Sequence, residues 1–241
     1  MTATDLFQAG RLEEAVQALG AELRRDPTDS KRRTFLFELL CFTGDYDRAE
    51  KQLDILSDSS HEAAMGALLY RSALQAERTR RRMFETGDFP HGAALPVSGR
   101  VDARACESIE DADPRLGARL EVYAAGAYLW IPFEHIASLE IQPPKRLRDL
   151  LWIPALLHTG PGFKGVELGE VLLPVLTPLA WKHPDGQVRL GRQTVWQESA
   201  DGSAVPAGQK MFLADEEEFP ILEVRQLEFS APQAAADEAQ S

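Results

Sequence analysis

The chain has 241 residues, 44% of them hydrophobic and 27% charged, the composition of an ordinary globular protein with room for one large or two modest cores. Its net charge is −12, unevenly spread: residues 1–86 carry 13 Lys/Arg against 15 Asp/Glu, the remainder 13 against 23. Such a surface repels nucleic acid, whose binding rests on phosphate neutralisation; no stretch has the roughly 18 consecutive apolar residues of a membrane span, and two isolated cysteines, Cys41 and Cys106, make no disulfide framework.

The opening MTATDLFQAGRLEEA lacks the basic start and apolar run of a secretory leader, so a cytoplasmic protein is expected. From residue 10 an internal repeat is visible. GRLEEAVQAL at 10–19 and GDYDRAEKQL at 44–53 align at a constant offset of 34 residues, placing Gly10 on Gly44, Leu12 on Tyr46, Ala15 on Ala49 and Leu19 on Leu53. A 34-residue period with small residues at fixed helical positions is the signature of tetratricopeptide-type helical hairpins. The two alanines belong where paired helices approach closely. The residues seven apart fill the seam on one helical face, and the glycines supply left-handed caps. Pro27 bars the first unit's second helix from continuing. TFLFELLCF at 34–42 reads as the first helix of the second unit. A further helix is expected from a Ser59-Ser60-His61-Glu62 capping box to about Phe84, with no Pro equivalent to Pro27 and no third turn motif. Two units and one extra helix cannot bury their own ends, so the rest of the chain is the expected cap.

ERTRRRMF at 77–84, with Arg78, Arg80, Arg81 and Arg82, reads as the solvated end of that helix, with a protein-docking patch as the alternative. GDFPHGAALPVSGR at 87–100 is rich in Gly and Pro and closes the helical region. Beyond it all four tryptophans appear (Trp130, Trp152, Trp181, Trp196), together with alternating apolar residues. RLEVYAAGAYLWIPF reads as strand, turn and strand; IASLEIQPP as a strand stopped by Pro143-Pro144; VELGEVLLPVL, VRLGRQTVWQE and ILEVRQLEF as further strands, with an HPDG turn at 183–186 between two of them. The expected fold is α+β: tetratricopeptide-like hairpins over 1–88, a linker over 89–100, a mostly antiparallel, partly closed β-domain with short helices over 101–230, and a polar, Ala-rich, disordered tail over 231–241.

Catalytic chemistry is sparse. The five histidines (His61, His91, His135, His158, His183) never recur at i, i+3 or i, i+4, and no CxxC, HExxH, P-loop, GxSxG or GxGxxG occurs, so no metal site and no cofactor are expected. Asp149 and His158, in RLRDLLWIPALLHTG, form the one candidate base-and-orienter pair. Against it stands an Asp149 paired to Arg146 or Arg148 with Trp152 in the core. Glu216-Glu217-Glu218 offers a cation site, against the plainer reading of a solvated loop.

Four blocks of the second half carry a family resemblance: DADPRLGARLEVYAAGAYLWIPFEHIASLEI at 111–141, PKRLRDLLWIPALL at 144–157, LGRQTVWQE at 190–198 and GQKMFLADEEEFPILEVRQLEF at 208–229. In order and in detail (Leu120-Glu121-Val122, Trp130-Ile131-Pro132, Arg148-Asp149, Thr194-Val195-Trp196) the chain resembles the ImpE family, also called TagJ, of type VI secretion accessory proteins, over roughly residues 2–230. The resemblance implies a non-catalytic adaptor that binds the N-terminal helix of the small contractile-sheath subunit and influences sheath recycling by a Clp-type AAA+ ATPase. It implies no cofactor, and no residue is carried over for the partner site.

In a tetratricopeptide array the first helix of each unit lines the concave face. That register nominates Lys31, Thr34, Glu38 and Cys41, flanked by Phe7 and by Met65, Leu68 and Ser72, as a groove for an amphipathic helix. Phe7, Cys41, Met65 and Leu68, each taken alone, also read as core. The acidic β-domain is the alternative docking surface.

Overall fold

A computed structural model of the chain describes residues 1–90, 92, 94–165, 167–199 and 202–230. Five helices come first: α1 (Ala3–Gln8), α2 (Leu12–Arg25), α3 (Ser30–Phe42), α4 (Tyr46–Ser57) and α5 (His61–Thr86). Each consecutive pair packs together, as in a helical-hairpin array. α2 turns Leu12, Ala15, Val16, Leu19 and Leu23 inward on one stripe, and α4 does the same with Tyr46, Ala49 and Leu53. Ala15 and Ala49 are fully buried, as close approach of paired helices requires. α3 lies in the middle, and its C-terminal half, Leu36 to Phe42, is buried on every side.

Side chains cap the starts. Asp29 and Asp45 accept from the amides of Arg32 and Arg48, and Ser60 accepts from the amide of Ala63 at 3.0 Å. The cap of α5 is thus Ser60, one residue later than the Ser-x-x-Glu spacing indicated; the Ser59 hydroxyl instead donates to the Leu56 carbonyl. Gly10 and Gly44 close α1 and α3 with φ of 77° and 71°. One repeat further on, position 78 is an arginine, and α5 runs straight through it. Arg78 binds Asp47 and Glu50 of α4 instead.

The second half begins with β1 (Val97–Val101), inside the stretch that composition assigns to a linker, and continues with β2 (Arg104–Asp111), β3 (Arg119–Ala124), β4 (Ala127–Pro132), β5 (Ile136–Ile141), β6 (Trp152–Thr159) and β7 (Gly169–Pro174). A one-turn helix, α6 (Gly186–Arg189), precedes β8 (Val195–Glu198), β9 (Ala204–Ala207), β10 (Met211–Ala214), β11 (Glu217–Pro220) and β12 (Gln226–Phe229). HPDG therefore starts a helix, with Asp185 as its cap, where the sequence pattern indicated a turn between strands. Residues 231–241, expected to be a disordered tail, lie outside the described residues.

Ten strands form one antiparallel sheet in the order β11-β10-β2-β1-β12-β5-β6-β7-β3-β4, and β8 and β9 pair separately. The large sheet curls on itself, so strands far apart in that order meet across its interior. Phe133, just past β4, stacks on Phe229 of β12 at 4.8 Å and meets Phe212 of β10 at 6.4 Å. Inside the curl, Leu120, Val122, Leu139, Ile153, Leu157, Leu173 and Leu227 form one core. The outer face carries Tyr123, Trp152 and Leu172 into a second core shared with the helices. The sheet is the cap that the short array needs.

Residues 176–192 cross the turns of the array. Arg80 donates to the Leu176 carbonyl, Trp181 lies against Gly44, Gln187 lies against Gly10, and Arg192 donates to the Gln8 carbonyl. A Cβ at Gly44 would stand 2.7 Å from the Trp181 ring, and one at Gly10 would stand 2.6 Å from the Gln187 amide nitrogen.

Candidate protein-docking cleft at the helix–sheet seam

Three aromatic rings hold the seam. Trp152 of β6 is 6.0 Å from Tyr70 of α5 and 6.4 Å from Phe37 of α3, and its indole N–H donates to Glu77 at 3.1 Å. Deeper, Glu121 of β3 sits fully buried between two cations. Its carboxylate accepts from Arg80 of α5 at 2.6 and 2.9 Å and from Lys210 at 2.6 Å, and Lys210 also reaches Asp111 of β2 at 2.6 Å. Two cations within bonding distance outweigh burial and hold the Glu121 carboxyl down at about 2. For Asp111 burial wins, because the one cation it touches is shared and the Glu121 charge is repulsive; its carboxyl is pushed up to about 6. The cluster ties α5 to two distant strands of the curled sheet.

Beside this anchor the seam opens. The Asp149 carboxylate accepts from the amides of Lys145 and Arg146 at 2.7 and 2.9 Å, folding the 142–149 loop back against β6. The β3–β4 turn, with Ala125 and Gly126 at positive φ, lies beside Ser72 of α5. Between loop, turn and helix lies a cleft of about 570 Å³. It is lined by Leu69 and Tyr70 of α5, by Ala124 and Ala125 of the turn, by Pro154, Leu156 and Leu172 of β6 and β7, and by the charged Lys145, Arg146, Asp149 and Glu170. The apolar surface continues out of the cleft along α5. Met65, Leu68 and Leu69, at i, i+3 and i+4, are 56%, 57% and 48% exposed.

Comparison with known proteins places this geometry. A family model described as ImpE protein matches residues 103–228, just over half of the chain, and a tetratricopeptide repeat model matches residues 6–74. The chain belongs to the ImpE family. Its relatives include a Pseudomonas aeruginosa PAO1 protein named type VI secretion system accessory component TagJ, 32% identical over 269 residues that cover 97% of this chain and 93% of that one. The crystal structure of protein VPA1032 from Vibrio parahaemolyticus superposes with a TM-score of 0.80 at 23% identity, covering 95% of this chain and 97% of that one, and shows the same fold.

Within this ImpE-family fold, the eight residues nominated for the groove divide. Met65 and Leu68 are exposed beside the cleft, and Ser72 lies half-buried at its α5 end. Lys31 is exposed and Thr34 half-buried, its hydroxyl donating to the Ser30 carbonyl. Phe7 is half-buried, edge-on to Phe35 at 5.6 Å with the Arg192 guanidinium over its ring. Glu38 and Cys41 are buried: Glu38 faces Arg148 at 3.4 Å, and the sheet side covers both. The concave face that a free array would present is thus filled at its centre by the chain's own 147–152 segment, and the two buried residues belong to no open groove. Burial lifts the Glu38 carboxyl above its usual range against the pull of Arg148. Burial, with Glu77 and Glu38 adding to it, pushes the Cys41 thiol well up, so it is no nucleophile.

The other candidates take structural roles. Asp149 caps backbone amides and pairs with neither Arg146 nor Arg148; His158, half-exposed on β6, stands 3.8 Å from Glu167. Glu217 pairs with Arg104, and no cluster of ligands able to hold a metal occurs among the described residues. The arginine cluster is not a solvated helix end. Arg80 is 4% exposed in the buried cluster, Arg78 binds α4, and Arg81 stacks 4.1 Å over Trp181; Arg82 alone is exposed. Sequence reasoning gave no role to Glu121 or Lys210. The signal was a glutamate flanked by buried apolar residues in Leu120-Glu121-Val122, on a strand covered on both faces.

Proposed function

We propose that this chain is a non-catalytic accessory component of a type VI secretion system: an adaptor that binds the N-terminal helix of the small contractile-sheath subunit and thereby modulates sheath recycling by a Clp-type AAA+ ATPase. The observation that carries the reading is end-to-end similarity to an accessory component named TagJ, in a chain whose buried charges Arg80, Asp111, Glu121, Asp149 and Lys210 are engaged in holding the fold. The exposed apolar stripe of α5 supports a helix-binding role, since an apolar face at i, i+3, i+4 is what a second helix packs against. The test is a calorimetric titration of the full-length protein with a synthetic peptide of the cognate small sheath subunit's N-terminal helix. Leu68→Glu, at an exposed position, is expected to weaken binding about tenfold or more, a typical interface hot-spot loss, with unchanged thermal stability. A folded wild-type protein that fails to bind the peptide overturns the reading.

A further inference from the structure

From the charges around the cleft we infer the kind of helix it takes: an amphipathic segment of a partner protein whose apolar face carries an acidic flank, laid with that flank towards Lys145 and Arg146. The inference deepens the adaptor reading and rests on it for the existence of a protein partner; the side-chain chemistry of the occupant comes from the cleft itself.

Three observations converge. Much of the lining is apolar (Leu69, Tyr70, Ala124, Leu156, Leu172), so a ligand gains by burying apolar side chains there. The apolar surface does not end at the cleft mouth but continues along α5 through Leu68 to Met65, a full further turn of helix. A small molecule filling about 570 Å³ would leave that stripe bare, whereas an amphipathic helix covers both. The cations of the cleft come from one element, the 142–149 loop. Lys145 and Arg146 are exposed and form no ion pair among the described residues, although the chain carries a net charge of −12 and pairs many of its other arginines. Their backbone amides are fixed by Asp149, so the two side chains spring from a braced loop. Two carboxylates also line the cleft: Asp149 is engaged with the loop amides, and Glu170 of β7, paired with Leu156 of β6, repels an acidic side chain beside it. A helix acidic on both flanks is disfavoured; one acidic towards the 142–149 loop and neutral or basic towards Glu170 fits.

The experiment uses the full-length protein and two synthetic amphipathic helices with one shared apolar face, the first flanked by Glu on one side and the second by Lys at the same positions. Binding is followed by fluorescence anisotropy at low and high salt. The acidic peptide is expected to bind and the basic one to bind at least tenfold more weakly, roughly the sum of two reversed ion pairs. The double variant Lys145→Glu/Arg146→Glu should reverse that preference, so that the basic peptide binds more tightly and salt weakens it instead, and Leu69→Glu should weaken both peptides. All three substitutions are at exposed positions, and unchanged helical circular dichroism and melting temperature serve as the folding control. Equal binding of both peptides, or a preference that survives the charge reversal, overturns the inference while leaving the sheath-subunit titration to judge the adaptor reading separately. Binding of neither peptide also overturns it. Conversely, a sheath-derived helix that binds the wild type and the reversed variant equally well keeps the adaptor and removes the cleft.

Discussion

Glu121 joins distant parts of the chain through one carboxylate. It receives Arg80 from α5 and Lys210 from the segment before β10, all three with almost no exposure. Removing one member of a buried ionic cluster leaves the others desolvated and uncompensated, a loss of about 3–5 kcal/mol. Glu121→Gln is therefore expected to lower the unfolding free energy read from urea titration by that order while the helical signal at neutral pH survives. The same residue sets an acid limit. Its folded carboxyl titrates at about 2 against an ordinary 4.5, so the unfolded chain binds the proton more readily in that window, and stability falls as pH drops from about 4.5 to 2. Asp111 works in the opposite sense: its folded carboxyl, at about 6, holds a proton more tightly than the unfolded one, so its contribution declines as pH rises from about 4 to 6. In Glu121→Gln the loss between pH 4.5 and 2 should be shallower than in the wild type, measured by denaturant titration across that range.

At the level of single elements, two glycines separate two kinds of cost. Gly87 closes α5 at a φ of 72° with open space where a Cβ would go, and Gly44 closes α3 at 71° with the Trp181 ring in that space. Gly87→Ala is expected to cost about 1–2 kcal/mol, the penalty of a left-handed alanine, and Gly44→Ala clearly more, because Trp181 and the Arg81 stacked on it must move; a pair of denaturation curves measures both. The elements were unequally legible. The first two hairpins could be read because glycines, alanines and leucines recur at one offset. The end of the array could not, because Arg78 carries no turn signal and its role depends on Asp47 and Glu50, distant in sequence. Strands β3 to β5 show their alternation openly. β2, with the sequence RACESIED, and β11, with EEFP, hold too few large apolar residues for a period to be visible. α6 was hidden across the end of the HPDG turn and the start of VRLGRQTVWQE, which reads as a strand. For the cleft, Met65 and Leu68 followed from the repeat register, whereas Leu69, Lys145 and Arg146 became visible only when the sheet was in place.

For the whole molecule, the decisive fact is a core that belongs to both halves. Trp152 is 1% exposed, wedged between Phe37, Tyr70 and Glu77 although it comes from the sheet. Trp152→Ala should cost about 3–5 kcal/mol, and far-ultraviolet dichroism and tryptophan fluorescence should still report one coincident transition in wild type and variant alike, as expected of a single cooperative unit. Two separated transitions would show that the halves fold independently. The α+β class and the order of helices before sheet were legible from periodicity alone. The curl of the sheet and its grip on α5 were not, since they depend on pairings between residues as far apart as Arg80 and Leu176.

The strap of residues 176–192 also acts as a ruler. It meets the turns of the array in reverse order, Gln187 and Arg192 at the first, Trp181 at the second, Leu176 where a third would begin. A helical-hairpin array ordinarily grows or shrinks by whole units, because each meets only its neighbours. Here an inserted hairpin would push every later turn off its mark, and a deleted one would leave a mark with nothing beneath it. Repeat number and strap length are therefore bound to change together, and variation within this fold should accumulate in the loops and at the cleft rim, with the count of hairpins held constant.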